Sequence, residues 1–152
     1  MPNPVISPAK DKQLVGSWFY VEIPGLTMEA ITEAAGLEME IDAAEFTQAT
    51  KDGRQITKKM PGAGKFGEIT LKRPLGTDKS FYNWMKKITD GNAEFRVDGS
   101  IVLYDIANKE AGRWNFLNAW PSKWSASDLD VGTDDPVMEE LTIQIEFLKR
   151  VS

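Results

Sequence analysis

The chain contains no cysteine and no histidine among its 152 residues. The absence of cysteine excludes disulfide bonds and thiolate nucleophiles, and the absence of both excludes the usual zinc ligand sets and imidazole acid–base catalysis. An enzyme of this composition would depend on Asp, Glu, Lys, Tyr or Ser, and no motif positions such residues for catalysis. We therefore expect a protein that is not an enzyme and that has no cofactor and no metal site.

Long apolar runs and basic clusters are also missing. No apolar run approaches the roughly 20 residues needed to cross a bilayer, so no membrane anchoring is expected. Residues 1–8 lack a basic region followed by an apolar stretch, which predicts no secretory signal, so a protein that acts outside a cell would leave by another route. The net charge is −5, and without a strong Lys and Arg patch stable nucleic-acid binding is disfavoured.

The remaining composition is typical of one globular domain, with 41% hydrophobic and 27% charged residues. Residues 1–14 contain three prolines and predict an extended N-terminal arm. Residues 15–152 predict the folded domain.

Alternating apolar and polar residues indicate about seven β-strands. The clearest alternation places Leu37, Met39 and Ile41 on one face, which we expect to be buried, and Glu38, Glu40 and Asp42 on a wet face. Those carboxylates could also form a calcium site or an acid–base pair, but a strand spaces them along a line, which favours the wet face.

The other strands predicted here include 67–73, 113–120 and 137–149, and the dipeptide Asp98-Gly99 predicts a hairpin turn. A single helix is predicted over 81–89, with Ser80 as N-cap and Gly91 as its stop. The fold class is therefore mainly β with one helix (α+β): a small antiparallel β-barrel or sandwich flanked by a single α-helix.

Residues 44–65 predict a long loop, and loops of this length usually have a function. Its basic residues are not interleaved with aromatic residues that could stack on nucleic-acid bases. Two interpretations remain open, a solvated loop and a loop that docks on an acidic neighbour. The basic residues in question are Lys51, Arg54, Lys58 and Lys59.

Residues 112–124 contain three of the five tryptophans. Proline cannot donate to a central sheet ladder, and buried indoles need hydrogen-bond partners, so the segment predicts a structural corner at a strand end or an assembly surface. The residues of this corner are Trp114, Trp120, Pro121 and Trp124.

The segment 118–124, Asn-Ala-Trp-Pro-Ser-Lys-Trp, resembles the C-terminal signature of tail tube proteins from contractile phage tails and phage-tail-like contractile injection systems. The resemblance covers about Val15 to Val151. Further matches occur in the same order as in that family, at Ala35–Glu40, Pro61-Gly62, Ile69–Arg73, Phe81–Trp84, Asp128-Leu129 and Val137–Leu141.

The resemblance implies a small β-barrel flanked by a helix, with six subunits in a ring and rings stacked into a hollow inner tube. A contractile sheath drives that tube through a target envelope, and the haemolysin-coregulated tube protein of type VI secretion is a structural relative. The implied partners are further copies of the chain, sheath and baseplate proteins, and cargo or nucleic acid that passes through the lumen without stable binding. The assembly would be part of a phage tail or of a released or membrane-anchored injection particle.

One departure from the family concerns the C-terminal end. Members often carry a His and a Gly there, whereas residues 142–150 contain neither. The sequence therefore leaves open whether this is the bulk tube subunit or a baseplate-proximal tube adaptor. A monomeric ligand-binding β-barrel with an aromatic-lined pocket is the main rival from another class, followed by an acid–base enzyme that uses Asp and Glu.

In the tube interpretation, the polar alternate residues of the strands line the lumen, and the basic loop contacts the adjoining ring. A hydrophilic lumen would let cargo or nucleic acid slide without sticking, and an acidic bias would repel phosphates. The candidate lumen residues are Glu38, Glu40, Asp42, Thr70, Lys72, Thr142, Gln144 and Glu146.

Overall fold

The computed structural model describes residues 18–25 and 31–152. The predicted N-terminal arm, residues 1–14, lies outside the described residues. Within them the mainly β fold with one helix is confirmed, as nine strands and one helix. The elements are β1 (Phe19–Glu22), β2 (Glu33–Ala35), β3 (Met39–Ala49), β4 (Gln55–Phe66), β5 (Ile69–Pro74), α1 (Ser80–Thr89), β6 (Val97–Tyr104), β7 (Glu110–Ala126), β8 (Met138–Gln144) and β9 (Phe147–Arg150).

Seven strands form one antiparallel sheet in the order β1-β6-β7-β8-β5-β2, and β9 pairs with β7. Strands β3 and β4 form a separate two-stranded hairpin. Within the described residues, β1 and β2 do not pair with each other, so the sheet is not closed into a barrel.

The long strand β7 joins the two halves of this sheet. Its first half pairs with β6 and β9, and its second half pairs with β8. The chain bends between these halves at Asn118, which has a φ of 54°. At the bend, the Glu146 N–H donates to the Leu117 carbonyl (3.1 Å), and Asn118 Nδ2 donates to Glu146 Oε2 (2.8 Å).

This left-handed φ of 54° at Asn118 turns β7 from one half of the sheet into the other, and β8 and β9 follow it as two separate strands. The prediction of one continuous strand over 137–149 is therefore wrong beyond Gln144. The alternation shifts at the break, so that Leu148 is buried and Phe147 is exposed. The strand predicted over 113–120 in turn continues through the proline to Ala126.

The dipeptide Asp98-Gly99 lies inside β6 and does not form the predicted hairpin turn. Gly99 is needed there for space, because a Cβ at this position would lie 2.4 Å from Cζ of Phe116. The Asp98 carboxylate accepts a hydrogen bond from the backbone N–H of Asn118 (2.9 Å). The dipeptide therefore supports the bend in β7 from the neighbouring strand.

The core lies between the sheet and the helix. The alternation in β5 and β8 points every second side chain inward, as the sequence predicts for a half-buried sheet. Trp84 of α1 closes one side of the core, and its indole Nε1 donates to the Phe95 carbonyl (2.7 Å). The buried hydrophobic residues are Val21, Ile23, Ile69, Leu71, Phe81, Trp84, Ile101, Val102, Phe116, Ala119, Leu141, Ile143 and Leu148.

Helix α1 begins one residue earlier than predicted, and Lys79 rather than Ser80 is its N-cap residue. The Asp78 carboxylate accepts a hydrogen bond from the Ser80 N–H (2.8 Å), so an acidic side chain before the helix takes up one of its free donors. Gly91 follows the helix as predicted, and its N–H donates to the Ile88 carbonyl (3.1 Å).

A buried ion pair connects the start of the helix to the sheet. Arg73 and Glu139 are only 3% and 1% exposed, and Arg73 Nε lies 2.9 Å from Glu139 Oε2. The second carboxylate oxygen accepts the Trp124 indole N–H (2.7 Å). Arg73 also donates to Ser80 Oγ (3.3 Å), and its guanidinium lies 3.8 Å from the centre of the Phe81 ring. Both charges therefore have partners from β7 or α1.

We expect Glu139→Gln to lower the free energy of unfolding of the unassembled chain by up to about 3 kcal/mol, the lower end of the range for breaking a buried ion pair. The variant removes the buried counter-ion of Arg73 and leaves the more exposed carboxylate of Asp78, which lies 3.5 Å from the guanidinium. Urea unfolding measures this loss. Glu140→Gln is the matched control, since its carboxylate lies 3.9 Å from Lys72 on the accessible face and such pairs contribute about 0–1 kcal/mol. Equal losses in the two variants would contradict the prediction.

Phe116 is a fully buried aromatic residue of the core, whereas Trp120 is partly exposed. We expect Phe116→Ala to cost roughly 3–5 kcal/mol, because it removes a large side chain and leaves a cavity. The neighbouring Leu117, which is exposed, provides the control Leu117→Ala. Thermal or urea unfolding of the two variants would contradict the assignment if both lost the same stability.

Candidate assembly surfaces

The tryptophan-rich segment, residues 112–124, lies on both sides of the bend in β7. Trp114 pairs with Ile101 of β6 in the first half, and Trp120 and Trp124 pair with β8 in the second half. Trp114 and Trp124 pack against the core cluster, and the Trp124 ring meets Tyr82 edge-on at 5.8 Å. Pro121 is buried opposite Ile143 of β8. Within the described residues this half of β7 pairs only with β8, so the missing N–H of the proline breaks no ladder.

Trp120 stands directly opposite Gln144 and is partly exposed. The sequence predicted that the strand ends before the proline, but β7 continues to Ala126. The proline is tolerated because the bend at Asn118 has already moved the strand to the edge of the second half-sheet. The four residues of the predicted corner therefore lie on one strand, on both sides of the bend: Trp114, Trp120, Pro121 and Trp124. Their role in an assembly stays a prediction.

Four of the eight candidate lumen residues lie on one face of β5 and β8. Thr70 is paired directly with Thr142, and Lys72 with Glu140. Lys72 Nζ lies 3.7 Å from a Glu33 carboxylate oxygen and 3.9 Å from one of Glu140. These polar residues alternate with the buried Leu71 and Leu141 on the opposite face.

Gln144 continues the same polar face. Its Nε2 donates to Glu68 Oε1 (2.8 Å) and to Ser122 Oγ (3.1 Å). Thr70, Lys72, Thr142 and Gln144 therefore form a continuous polar stripe, which we call the β5–β8 polar face.

Glu146 lies apart from this face, at the bend in β7. Its carboxylate accepts hydrogen bonds from Asn118 and from Arg96 (3.1 Å). Glu38, Glu40 and Asp42 lie at the base of the β3–β4 hairpin, where Asp42 Oδ2 is 3.1 Å from Lys65 Nζ. The structure of the single chain therefore distributes the eight candidates over three places.

The segment 44–65 belongs to the β3–β4 hairpin, so the prediction of an unstructured loop is wrong. The hairpin closes at its tip, where Gly53 has a φ of +77°, its N–H donates to the Thr50 carbonyl (3.0 Å), and the Thr50 N–H donates to the Arg54 carbonyl (2.7 Å). The Gly and Lys residues of the segment concealed its strand character in the sequence. Lys51 and Arg54 lie at the tip, and Lys58 and Lys59 lie on β4.

The predicted burial of Leu37, Met39 and Ile41 is also wrong for the single chain, in which all three are exposed, Met39 by 62% and Ile41 by 59%. The physical reason is that the hairpin pairs with no other strand among the described residues. An apolar strand face without a covering element is left open to solvent.

The outer half of the hairpin has a second apolar face. Direct pairing of Ala44 with Met60, Phe46 with Lys58 and Gln48 with Ile56 places these residues on one side. Phe46, Ile56 and Met60 are all exposed. The opposite side is polar and contains the Glu45–Lys59 ion pair (3.5 Å). We call the first side the outer hairpin face.

The sequence analysis missed the outer hairpin face. Its signal was the short alternation of Ala44 with Phe46 and of Ile56 with Met60, which the basic residues between them obscured. Exposed apolar side chains concentrated on one element indicate an interaction surface.

Two further exposed aromatic side chains are Trp18, directly before the end strand β1, and Tyr20 within it. With Phe19, Tyr104 and Asn108 they line a surface cleft of about 370 Å³. Close to this edge, hydrogen bonds from the Arg113 guanidinium to Glu110 and to Glu22 raise the pKa of Arg113 above its ordinary value. The guanidinium therefore links β1 to β7 as a permanent cation.

Within residues 18–25 and 31–152, no group of three or more acidic side chains is placed to hold a metal ion. No helix in the same residues is long and apolar enough to cross a membrane.

Several solved structures have a similar fold. A chain of the sheath–tube complex of an extracellular contractile injection system (PVC, extended state) has a TM-score of 0.79 at 21% identity, covering 94% of each chain. A chain of the anti-feeding prophage tube-terminating cap has a TM-score of 0.81 at 23% identity, covering 100% of this chain and 99% of that one. Hcp1 from Flavobacterium johnsoniae has a TM-score of 0.51 at 18% identity, covering 88% of this chain and 94% of that one.

These structural similarities, at sequence identities below 25%, establish the fold. A comparison with curated proteins finds no significant match. The model of the family described as T4-like virus tail tube protein gp19 matches residues 15–149, which confirms the resemblance inferred from the sequence. Because the match spans nearly the whole chain, the protein belongs to the T4-like virus tail tube protein gp19 family.

Proposed function

We propose that this chain is a structural subunit of the inner tube of a contractile injection system or phage tail, assembling as hexameric rings that stack into a hollow tube. The observation that carries the proposal is the combination of family membership with an open sheet and an uncovered hairpin. In this role the chain acts by its shape and contacts rather than by catalysis.

The open strand edges explain why single copies would associate. Strands β1 and β2 stand at the two ends of the sheet order, and the backbone groups on their outer sides have no strand partner within the described residues. Such edges readily pair with another chain. When identical subunits pair through two different surfaces, they form a ring if the rotation from each subunit to the next adds up to a full turn.

The exposed apolar residues favour the same assembly. Met39 and Ile41 at the hairpin base would be covered by a neighbouring subunit of the ring, as a half-apolar strand requires. The β5–β8 polar face would then line the lumen together with Glu38, Glu40 and Asp42. Glu146 is the weakest lumen candidate, because its carboxylate already binds Asn118 and Arg96.

The hairpin would contact the adjoining ring through Lys51, Arg54, Lys58 and Lys59. The sheath and the baseplate are the proposed further partners, since one structurally similar chain comes from a sheath–tube complex. Assembly in the bacterial cytoplasm and delivery through a target envelope complete the proposal.

A baseplate-proximal tube adaptor is the second candidate. It is favoured by the C-terminal residues 142–150, which lack the His and Gly expected of the family. The copy number in purified particles distinguishes the two, because an adaptor occupies one ring and a bulk subunit occupies many. A monomeric ligand-binding barrel would instead remain a single copy in light scattering at every concentration.

Shortening the hairpin tests the stacking of rings. Replacing residues 48–56 with Asn-Gly joins the directly paired Thr47 and Thr57 through a two-residue turn and preserves their register. We expect electron microscopy to show rings but no long tubes. The unmodified chain is the control, and long tubes from the shortened chain would remove the hairpin from the inter-ring contact.

Thiol labelling tests the lumen, because the chain has no cysteine of its own. We expect Thr70→Cys to react with a bulky polymer-linked maleimide in the unassembled chain and to be protected in assembled tubes, which exclude the polymer from the lumen. A small maleimide should still reach it. Lys86→Cys on the exposed side of α1 is the control for reactivity outside the tube. Equal labelling of Thr70→Cys by both reagents in tubes would contradict a lumen position.

A further inference from the structure

The loop between β7 and β8 is an exposed acidic segment. Residues 127–136 contain four aspartates and no lysine or arginine. Two apolar side chains of this loop project into solvent, Leu129 with 81% exposure and Val131 with full exposure. We call this segment the acidic loop.

Hydrogen bonds within the acidic loop define its shape. The Ser127 N–H donates to the Met138 carbonyl (2.8 Å), and the Met138 N–H donates to Ser127 Oγ (2.9 Å), which closes the base. Asp130 Oδ1 accepts the Gly132 N–H (3.0 Å), and Thr133 Oγ1 accepts the Asp135 N–H (3.1 Å). The loop is therefore held in shape while Leu129 and Val131 remain uncovered.

The outer hairpin face has the complementary chemistry. Phe46, Ile56 and Met60 are apolar and exposed, and Lys58 lies among them. Lys51 and Arg54 extend the positive charge to the tip. Within the described residues, Lys59 forms an ion pair with Glu45, on the side of the hairpin opposite Phe46 and Lys58.

We infer that the outer hairpin face of one copy docks on the acidic loop of a second copy in the adjoining ring. Phe46, Ile56 and Met60 contact Leu129 and Val131, and the surrounding lysine and arginine side chains face the aspartates. This inference rests on the proposed function and names the surface that receives the hairpin.

A second copy fits this face because the same chain supplies both halves of the contact. The two surfaces differ from each other, so the contact is head-to-tail, and a head-to-tail contact that does not close extends an assembly without limit. That is the geometry needed to add one ring to the next. Exposed ion pairs are individually weak and screened by salt, so the charges select the orientation while the apolar contacts hold the rings together.

Charge reversal tests the contact with the full chain. We expect Asp128→Lys with Asp134→Lys to leave rings intact and to abolish long tubes in electron microscopy. Asp130 is left unchanged, because its carboxylate shapes the loop. Adding Lys51→Glu and Lys58→Glu to the same chain should restore the tubes, since an acidic hairpin of each ring then faces a basic loop of the next.

The matched control is Asp90→Lys with Glu94→Lys, which changes the net charge by the same amount at exposed positions after α1. We expect this variant to form tubes. Circular dichroism confirms that each variant is folded before assembly is scored.

Three outcomes overturn the inference: tubes from the acidic-loop variant, failure of the hairpin reversal to restore them, or loss of tubes in the control. The last would indicate a general effect of charge. A failure of the unmodified chain to form rings or tubes would instead contradict the proposed function, so the two failures are distinguishable.

Discussion

The bend in β7 at Asn118 is the constraint on which the rest of the fold depends. One strand serves both halves of the sheet, because a left-handed residue redirects its backbone after the first half is complete. Asp98 and Glu146, from the neighbouring strand and from the break between β8 and β9, both bind Asn118. The orientation of the two half-sheets is therefore fixed by a few polar contacts at one corner, and the core fills the space between them.

The buried Arg73–Glu139 pair fixes the helix to that sheet. A buried pair of charges is not in itself strongly stabilising, since its formation requires removing both ions from water. Its value lies in geometry: Arg73 contacts Ser80 and Phe81 of the helix, and Glu139 binds Trp124 of β7. Three elements distant in sequence are thus held in one arrangement, which positions the tryptophan-rich segment.

The surface carries apolar residues that the chain itself does not cover. The hairpin has one apolar face at its base and another on its outer half, and both are open in the single copy. Free strand edges and uncovered apolar faces are unfavourable for an isolated protein and favourable for one that completes itself with further copies. The same feature supports the proposed ring and tube.

The sequence by itself determined the fold class, the helix near 81–89, the inward face of the strands around Leu71 and Leu141, and the family, because these depend on local periodicity and on the motif at 118–124. The tertiary structure alone decided the bend at Asn118 and the place of Asp98-Gly99 inside a strand, because both depend on pairing between residues far apart in the chain, which no local pattern encodes. The hairpin character of 44–65 is local, but its Gly and basic residues obscured the alternation of its strands. Whether an apolar strand face is covered is likewise decided by which element lies beside it, and for Met39 and Ile41 the chain provides none among its described residues.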